Sequence, residues 1–142
     1  MKVILYSDPE VSGTVRDRSG RAVPGAAVTV VPSGFYVDCT NEDGRFEITY
    51  RRESERRYLF ARDARRNLAA AVEIKERTRQ INVVLKPALT LAGRITDPNG
   101  QPIPAARIQL AACLSGWFAY VGAEVFTGTD GRYEIPAVLI VM

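Results

Sequence analysis

The chain of 142 residues has no histidine, two cysteines and one tryptophan. Without an imidazole there is no side chain poised to trade protons near neutral pH and no nitrogen ligand for zinc. Cys39 and Cys113 stand far apart in sequence and form no CxxC pair, which leaves two free thiols rather than a redox centre or a disulfide framework. Most hydrolase and metalloenzyme chemistry is excluded on these grounds, and no metal or cofactor is expected. Long apolar runs are missing too. Stretches such as Val3 to Tyr6 and Ala137 to Met142 reach four to six residues, against the ~20 that a membrane span requires. Residues Met1 to Asp8, with one cation and four apolar side chains, are too short for the core of a secretory signal.

What is present is the make-up of a globular protein: 46% hydrophobic and 25% charged residues, with 8 prolines and 11 glycines. The net charge of +3 is uneven, with 16 basic and 12 acidic side chains in residues 1–87 and 3 and 4 in residues 88–142. Arg51, Arg52, Arg56, Arg57, Arg62, Arg65 and Arg66 crowd one stretch, where Glu53, Glu55 and Asp63 partly neutralise them. No nucleic-acid reading motif accompanies the charge. A solvated hairpin explains it, and a contact for anionic polysaccharide or phosphate is the sharper alternative.

An internal repeat organises the chain. Gly13-x-Val15-x-Asp17-x-x-Gly20-x-x-Val23-Pro24-x-Ala26-x-Val28 recurs 80 residues later as Gly93-x-Ile95-x-Asp97-x-x-Gly100-x-x-Ile103-Pro104-x-Ala106-x-Ile108. Ser33, Gly34, Phe35 and Tyr36 then match Ser115, Gly116, Trp117 and Phe118. Thr40-x-x-Asp43-Gly44-Arg45-Phe46-Glu47-Ile48 matches Thr127-x-x-Asp130-Gly131-Arg132-Tyr133-Glu134-Ile135. The offset grows from 80 to 82 to 87, so the second copy carries a longer hairpin. Applied backwards, the offset sets Val3, Ile4 and Leu5 on Val83, Val84 and Leu85. Residues 1–7 then read as the last strand of a preceding module, 8–87 as one complete module, and 88–142 as part of a second. Such a fragment leaves an apolar face and open strand edges, and in isolation it is expected to be disordered, to self-associate or to be completed by another chain's strand, residues 1–7 being the counterpart of the missing one.

Within one module the periodicity is that of strands. Val11, Gly13 and Val15 alternate with polar positions, and Asp17 to Gly20 has the composition of an Asx-type turn ending in a glycine with positive φ. Val28 and Val30 resume the alternation, followed by strands over Tyr36 to Thr40, Arg45 to Tyr50, Tyr58 to Arg62, Leu68 to Ile74 and Gln80 to Leu85. Turns fall around Ala64–Asn67 and Lys75–Thr78. Ala69 to Ala71 is too short for a helix and runs into the alternating Val72 and Ile74. Seven short strands with turn chemistry between them predict an all-β, antiparallel sandwich.

The motif set of Gly13 to Val28, Thr40 to Ile48 and a closing Val83-x-Leu85 resembles the carboxypeptidase regulatory-like domain. The resemblance implies a prealbumin-like (transthyretin-like), seven-stranded Greek-key β-sandwich used in tandem on large bacterial exported or surface proteins. It implies a non-catalytic spacer or adhesion unit of the cell envelope or secreted fraction, partnered by neighbouring modules. Related urate-pathway hydrolases depend on histidines, which are absent here. The isopeptide-linked relatives call for a lysine on the first strand, whereas the lysines are Lys2, Lys75 and Lys86.

Two kinds of site remain. The Asp43-Gly44 and Asp130-Gly131 turns gather oxygens, but an EF-type spacing puts Cys39 or Phe126 where a carboxylate is needed, so turn geometry explains them. The aromatics Tyr36, Trp117 and Tyr120, with Arg51, Arg52, Arg56 and Arg57, form the candidate ligand set for a carbohydrate-binding module, since flat rings stack on sugars. Core or inter-module packing explains the same rings without a ligand.

Overall fold

The alternation just described becomes burial in the computed structural model, which describes residues 10–31, 37–50, 56–114 and 117–139. Every element among them is a strand: β1 (Glu10–Arg16), β2 (Ala27–Val31), β3 (Val37–Cys39), β4 (Arg45–Thr49), β5 (Arg57–Asp63), β6 (Leu68–Ile74), β7 (Gln80–Val84), β8 (Lys86–Pro87), β9 (Leu89–Arg94), β10 (Arg107–Leu114), β11 (Trp117–Phe126) and β12 (Arg132–Val138). The expected strand over residues 3–5 lies outside the described residues.

Two sheets enclose the main core. One has the order β4-β1-β7 and contributes Val11, Val15, Phe46, Ile48, Ile81 and Val83; the other, β3-β2-β5-β6-β8, contributes Val28, Val30, Leu59, Ala61, Ala70 and Ile74. Because side chains alternate across a strand, each sheet turns one face to this layer and the pair forms a β-sandwich. The expectation of a wholly antiparallel sandwich is corrected at one place. β1 pairs β4 antiparallel but β7 parallel, with Ser12 opposite Gln80 and Arg16 opposite Val84. After β6 the chain crosses from one sheet to the other through the turn around Lys75–Thr78, so β7 reaches the open edge of β1 running in the same direction as β1 itself.

Turn chemistry repeats along the chain. Asp17 Oδ1 accepts the N–H groups of Ser19 and Arg21 at 2.9 and 3.0 Å, and Asp97 Oδ1 accepts those of Asn99 and Gln101 at 2.9 and 2.9 Å. The buried Thr40 hydroxyl accepts Ala26 N–H and donates to Val23 C=O; Thr127 does the same for Ala106 and Ile103. At Gly44 φ is 73°, and a Cβ there would stand 2.6 Å from the Val15 carbonyl oxygen; at Gly131 φ is 77° and the corresponding distance, to Ile95 O, is 2.4 Å. Only glycine meets both conditions.

Residues 89–138 form two ribbons, β9 with β12 and β10 with β11. Within the whole chain an apolar face of this part packs on the sandwich. Ile135 of β12 is 1% exposed and packs with Val31 of β2, fully buried, while Phe60, Ile108, Leu110, Val125, Tyr133 and Val138 close around them. β2 and β5 are therefore covered on both faces, one by the sandwich core and one by these ribbons. Leu89, Leu91, Ile103 and Phe126 stay exposed.

The packing separates two substitutions. Leu59→Ala, at a fully buried position, is expected to lower the unfolding free energy by about 2–5 kcal/mol, whereas Leu91→Ala, 44% exposed, should change it by no more than about 0.5 kcal/mol. Urea denaturation of the two variants beside the parent checks the difference.

Candidate functional site

Of the sequence candidates, Arg56 and Arg57 are the two whose side chains fall among the described residues. Tyr36, Arg51 and Arg52 lie outside the described residues, as do the side chains of Trp117 and Tyr120, whose backbones belong to β11. Arg56 is exposed, but Arg57 is 7% exposed, with its guanidinium 5.4 Å from the centroid of the buried Tyr50 ring. A cation over a ring face is held by the ring quadrupole, so Arg57, on β5, packs across the sandwich on the residue that follows β4. Cys39 is a free, exposed thiol. Among the described residues no group of His, Cys, Asp or Glu is placed to hold a metal ion.

The structure concentrates polar chemistry elsewhere, at the end of the sandwich where β5 turns into β6. Asn67 closes that turn in the left-handed region, φ 53°, which asparagine tolerates better than other non-glycine residues. This backbone choice aims three groups outward. Asn67 C=O accepts Ala88 N–H at 2.9 Å, its Nδ2 donates to Ala88 C=O at 3.0 Å, and its Oδ1 accepts Ala137 N–H at 2.7 Å. One side chain thus ties the linker and the last strand of the ribbons to the sandwich.

Ala137 is free to be bound because of Pro136. Proline has no N–H for the ladder, and the β9–β12 register slips between Ile135 and Val138. Ala137 takes φ 58°, a conformation that costs an alanine roughly 1–2 kcal/mol. The bulge turns its N–H away from β9 and toward Asn67, and turns the carbonyls of Pro136 and Ala137 toward Arg62. The Arg62 guanidinium donates to both. Burial pushes its pKa below the usual arginine value, and the two carbonyl dipoles compensate the buried cation.

Beside this, Arg66 bridges two turns, meeting Asp17 at 3.2 Å and Asp63 at 3.1 Å. Asp17 lies below its ordinary pKa of 3.8, chiefly because its carboxylate accepts Arg21 N–H; the hydrogen bonds from Arg66 and Ser19 act in the same sense and desolvation opposes them. Nothing in the cluster is an activated nucleophile or an acid–base pair. Its chemistry is that of a mechanical joint. The sequence signal for it was an Asn before the Leu68–Ile74 strand and a Pro inside the Arg132–Val138 strand, both breaks in the pattern.

No protein-family profile matches the chain, and no curated protein matches it. Among solved structures it is similar to a streptococcal ancillary pilin, at 11% identity and TM-score 0.39 over 90% of this chain and 49% of that one. It is also similar to the Bacillus anthracis TIE protein, at 13% identity and TM-score 0.40 over 92% of this chain and 26% of that one. The chain thus spans less than two thirds of either. Likenesses of that size assign no role, and the resemblance to carboxypeptidase regulatory-like domains rests on the sequence motifs.

Two outcomes are expected from the joint. Asn67→Gly keeps the left-handed turn but removes both side-chain hydrogen bonds, so stability should fall by about 1–3 kcal/mol and the Ala137 amide should exchange faster with solvent, both measurable by hydrogen-exchange NMR. For Asp17 the folded pKa is depressed, so its stabilisation is present above the unfolded value of 3.8 and is lost as pH falls through the lower folded value. Asp17→Asn should therefore be destabilising at neutral pH, with the gap to the parent shrinking below about pH 4 in urea titrations.

Proposed function

We propose that the chain is a non-catalytic structural spacer or adhesion segment of a larger, exported bacterial protein of the cell envelope. In this reading residues 8–87 are a complete prealbumin-like, seven-strand Greek-key module. Residues 1–7 are the last strand of a preceding module and residues 88–142 part of a following copy. The recurrence of the Asp17 and Thr40 hydrogen bonds at Asp97 and Thr127 supports the tandem arrangement.

The observation that carries the function is the linker. Leu85 N–H donates to Arg16 C=O at 2.8 Å, Lys86 and Pro87 pair with Ala69 and Leu68, both polar backbone groups of Ala88 bind Asn67, and Leu89 pairs with Val138. A flexible tether leaves its backbone to water; this one is bound at each residue, and proline stiffens it further. Such a connection fixes the direction in which the next unit leaves, which is what a spacer requires and a catalyst does not.

The test is a distance distribution. With Cys39→Ser and Cys113→Ser removing the native thiols, spin labels at the exposed positions Glu73 and Asn99 should give a single narrow peak by double electron–electron resonance. Asn67→Gly should broaden it. A broad distribution in the parent overturns the spacer reading.

A further inference from the structure

We infer that the sandwich is built to carry tension along the chain, with the parallel β1–β7 pair as the element that resists it; this rests on the spacer reading and adds a function to it. β1 begins at Glu10 and β7 ends at Val84, from which the chain crosses to β8 on the other sheet. These two points lie at opposite ends of the same pair of strands, because β1 and β7 run in the same direction in register from Ser12 with Gln80 to Arg16 with Val84. The strand length separates them by about 20 Å. A pull applied at these two ends therefore drags β1 toward its start and β7 toward its end, in opposite senses along one axis.

In that geometry the inter-strand bonds are loaded together. They run from Ser12 N–H to Arg79 C=O at 3.0 Å at one end to Leu85 N–H to Arg16 C=O at 2.8 Å at the other. Two further contacts oppose sliding. Thr14 Oγ1 donates to Asn82 Oδ1 at 3.0 Å across the pair. Val15 and Val83, directly opposite, are both buried, so displacing the strands also pulls side chains through close-packed neighbours. Gly13 permits the approach: a Cβ there would fall 1.7 Å from the Ile81 carbonyl oxygen. The β1–β4 pair offers the opposite geometry. Glu10 faces Thr49 at one end of an antiparallel ladder, and pulling those two residues apart breaks bonds one after another.

The experiment compares directions of pull on the same folded chain, since forced unfolding reports the unfolding rate in the direction loaded. In a Cys39→Ser/Cys113→Ser background, one protein carries Glu10→Cys with Lys86→Cys and another Glu10→Cys with Thr49→Cys as handles for single-molecule force spectroscopy. The first pair should rupture at a severalfold higher force. Thr14→Ala should lower that force and leave the second unchanged. Equal forces in the two directions, or a Thr14→Ala variant that weakens neither or both, overturn the assignment of load to β1 and β7. A narrow spin-label distribution together with equal forces would leave the spacer standing and remove the tension-bearing role alone.

Discussion

The left-handed turn at Asn67 is the constraint on which the arrangement of the two halves depends. A helical or extended backbone there would point its carbonyl and side chain away from Ala88 and Ala137, and the linker would lose its partners on both polar groups. The turn costs little because asparagine visits this region readily. The bulge at Ala137 is the complementary distortion, and each is compensated by the hydrogen bond it makes possible. The contact is between two departures from regular structure rather than between two regular surfaces.

Apolar packing and polar geometry divide the work at this interface. Val31, Phe60 and Ile135 exclude water, which raises the value of every hydrogen bond at their margin and the cost of leaving one unmade. Arg62 lies on that margin. Its charge is tolerable in a half-buried position because two carbonyl oxygens converge on it. The Arg66 bridges to Asp17 and Asp63 stiffen the adjoining turns from the solvent side, where screening keeps each pair modest.

Much of this was legible in the residues. Strand positions from Leu68 to Ile74 and the turns at Ala64–Asn67 and Lys75–Thr78 follow from periodicity and turn chemistry, and the Asp17 turn forms as its composition predicts. The parallel pairing of β7 was not legible, because alternation specifies which side of a strand is apolar and says nothing of the direction of its neighbour. The second covered face of β2 and β5 had a signal in the unbroken apolar runs Val30-Val31 and Leu59-Phe60-Ala61, the pattern of strands buried on both sides. The packing of Arg57 on the Tyr50 ring has no signal in the sequence, because a run of like charges reads as a solvated surface. The roles of Asn67 and Pro136 follow from what lies opposite them in space, some 70 residues away.

The joint recognises main chain. From the far unit it takes one N–H and two carbonyls at Pro136 and Ala137, and from the linker both polar groups of Ala88. None of these is a side-chain functional group. Drift in the surrounding residues therefore leaves the recognition intact as long as the bulge survives. A unit that keeps the proline-induced kink presents the same main-chain groups to Asn67 and Arg62, so exposed substitutions elsewhere on it leave these hydrogen bonds in place.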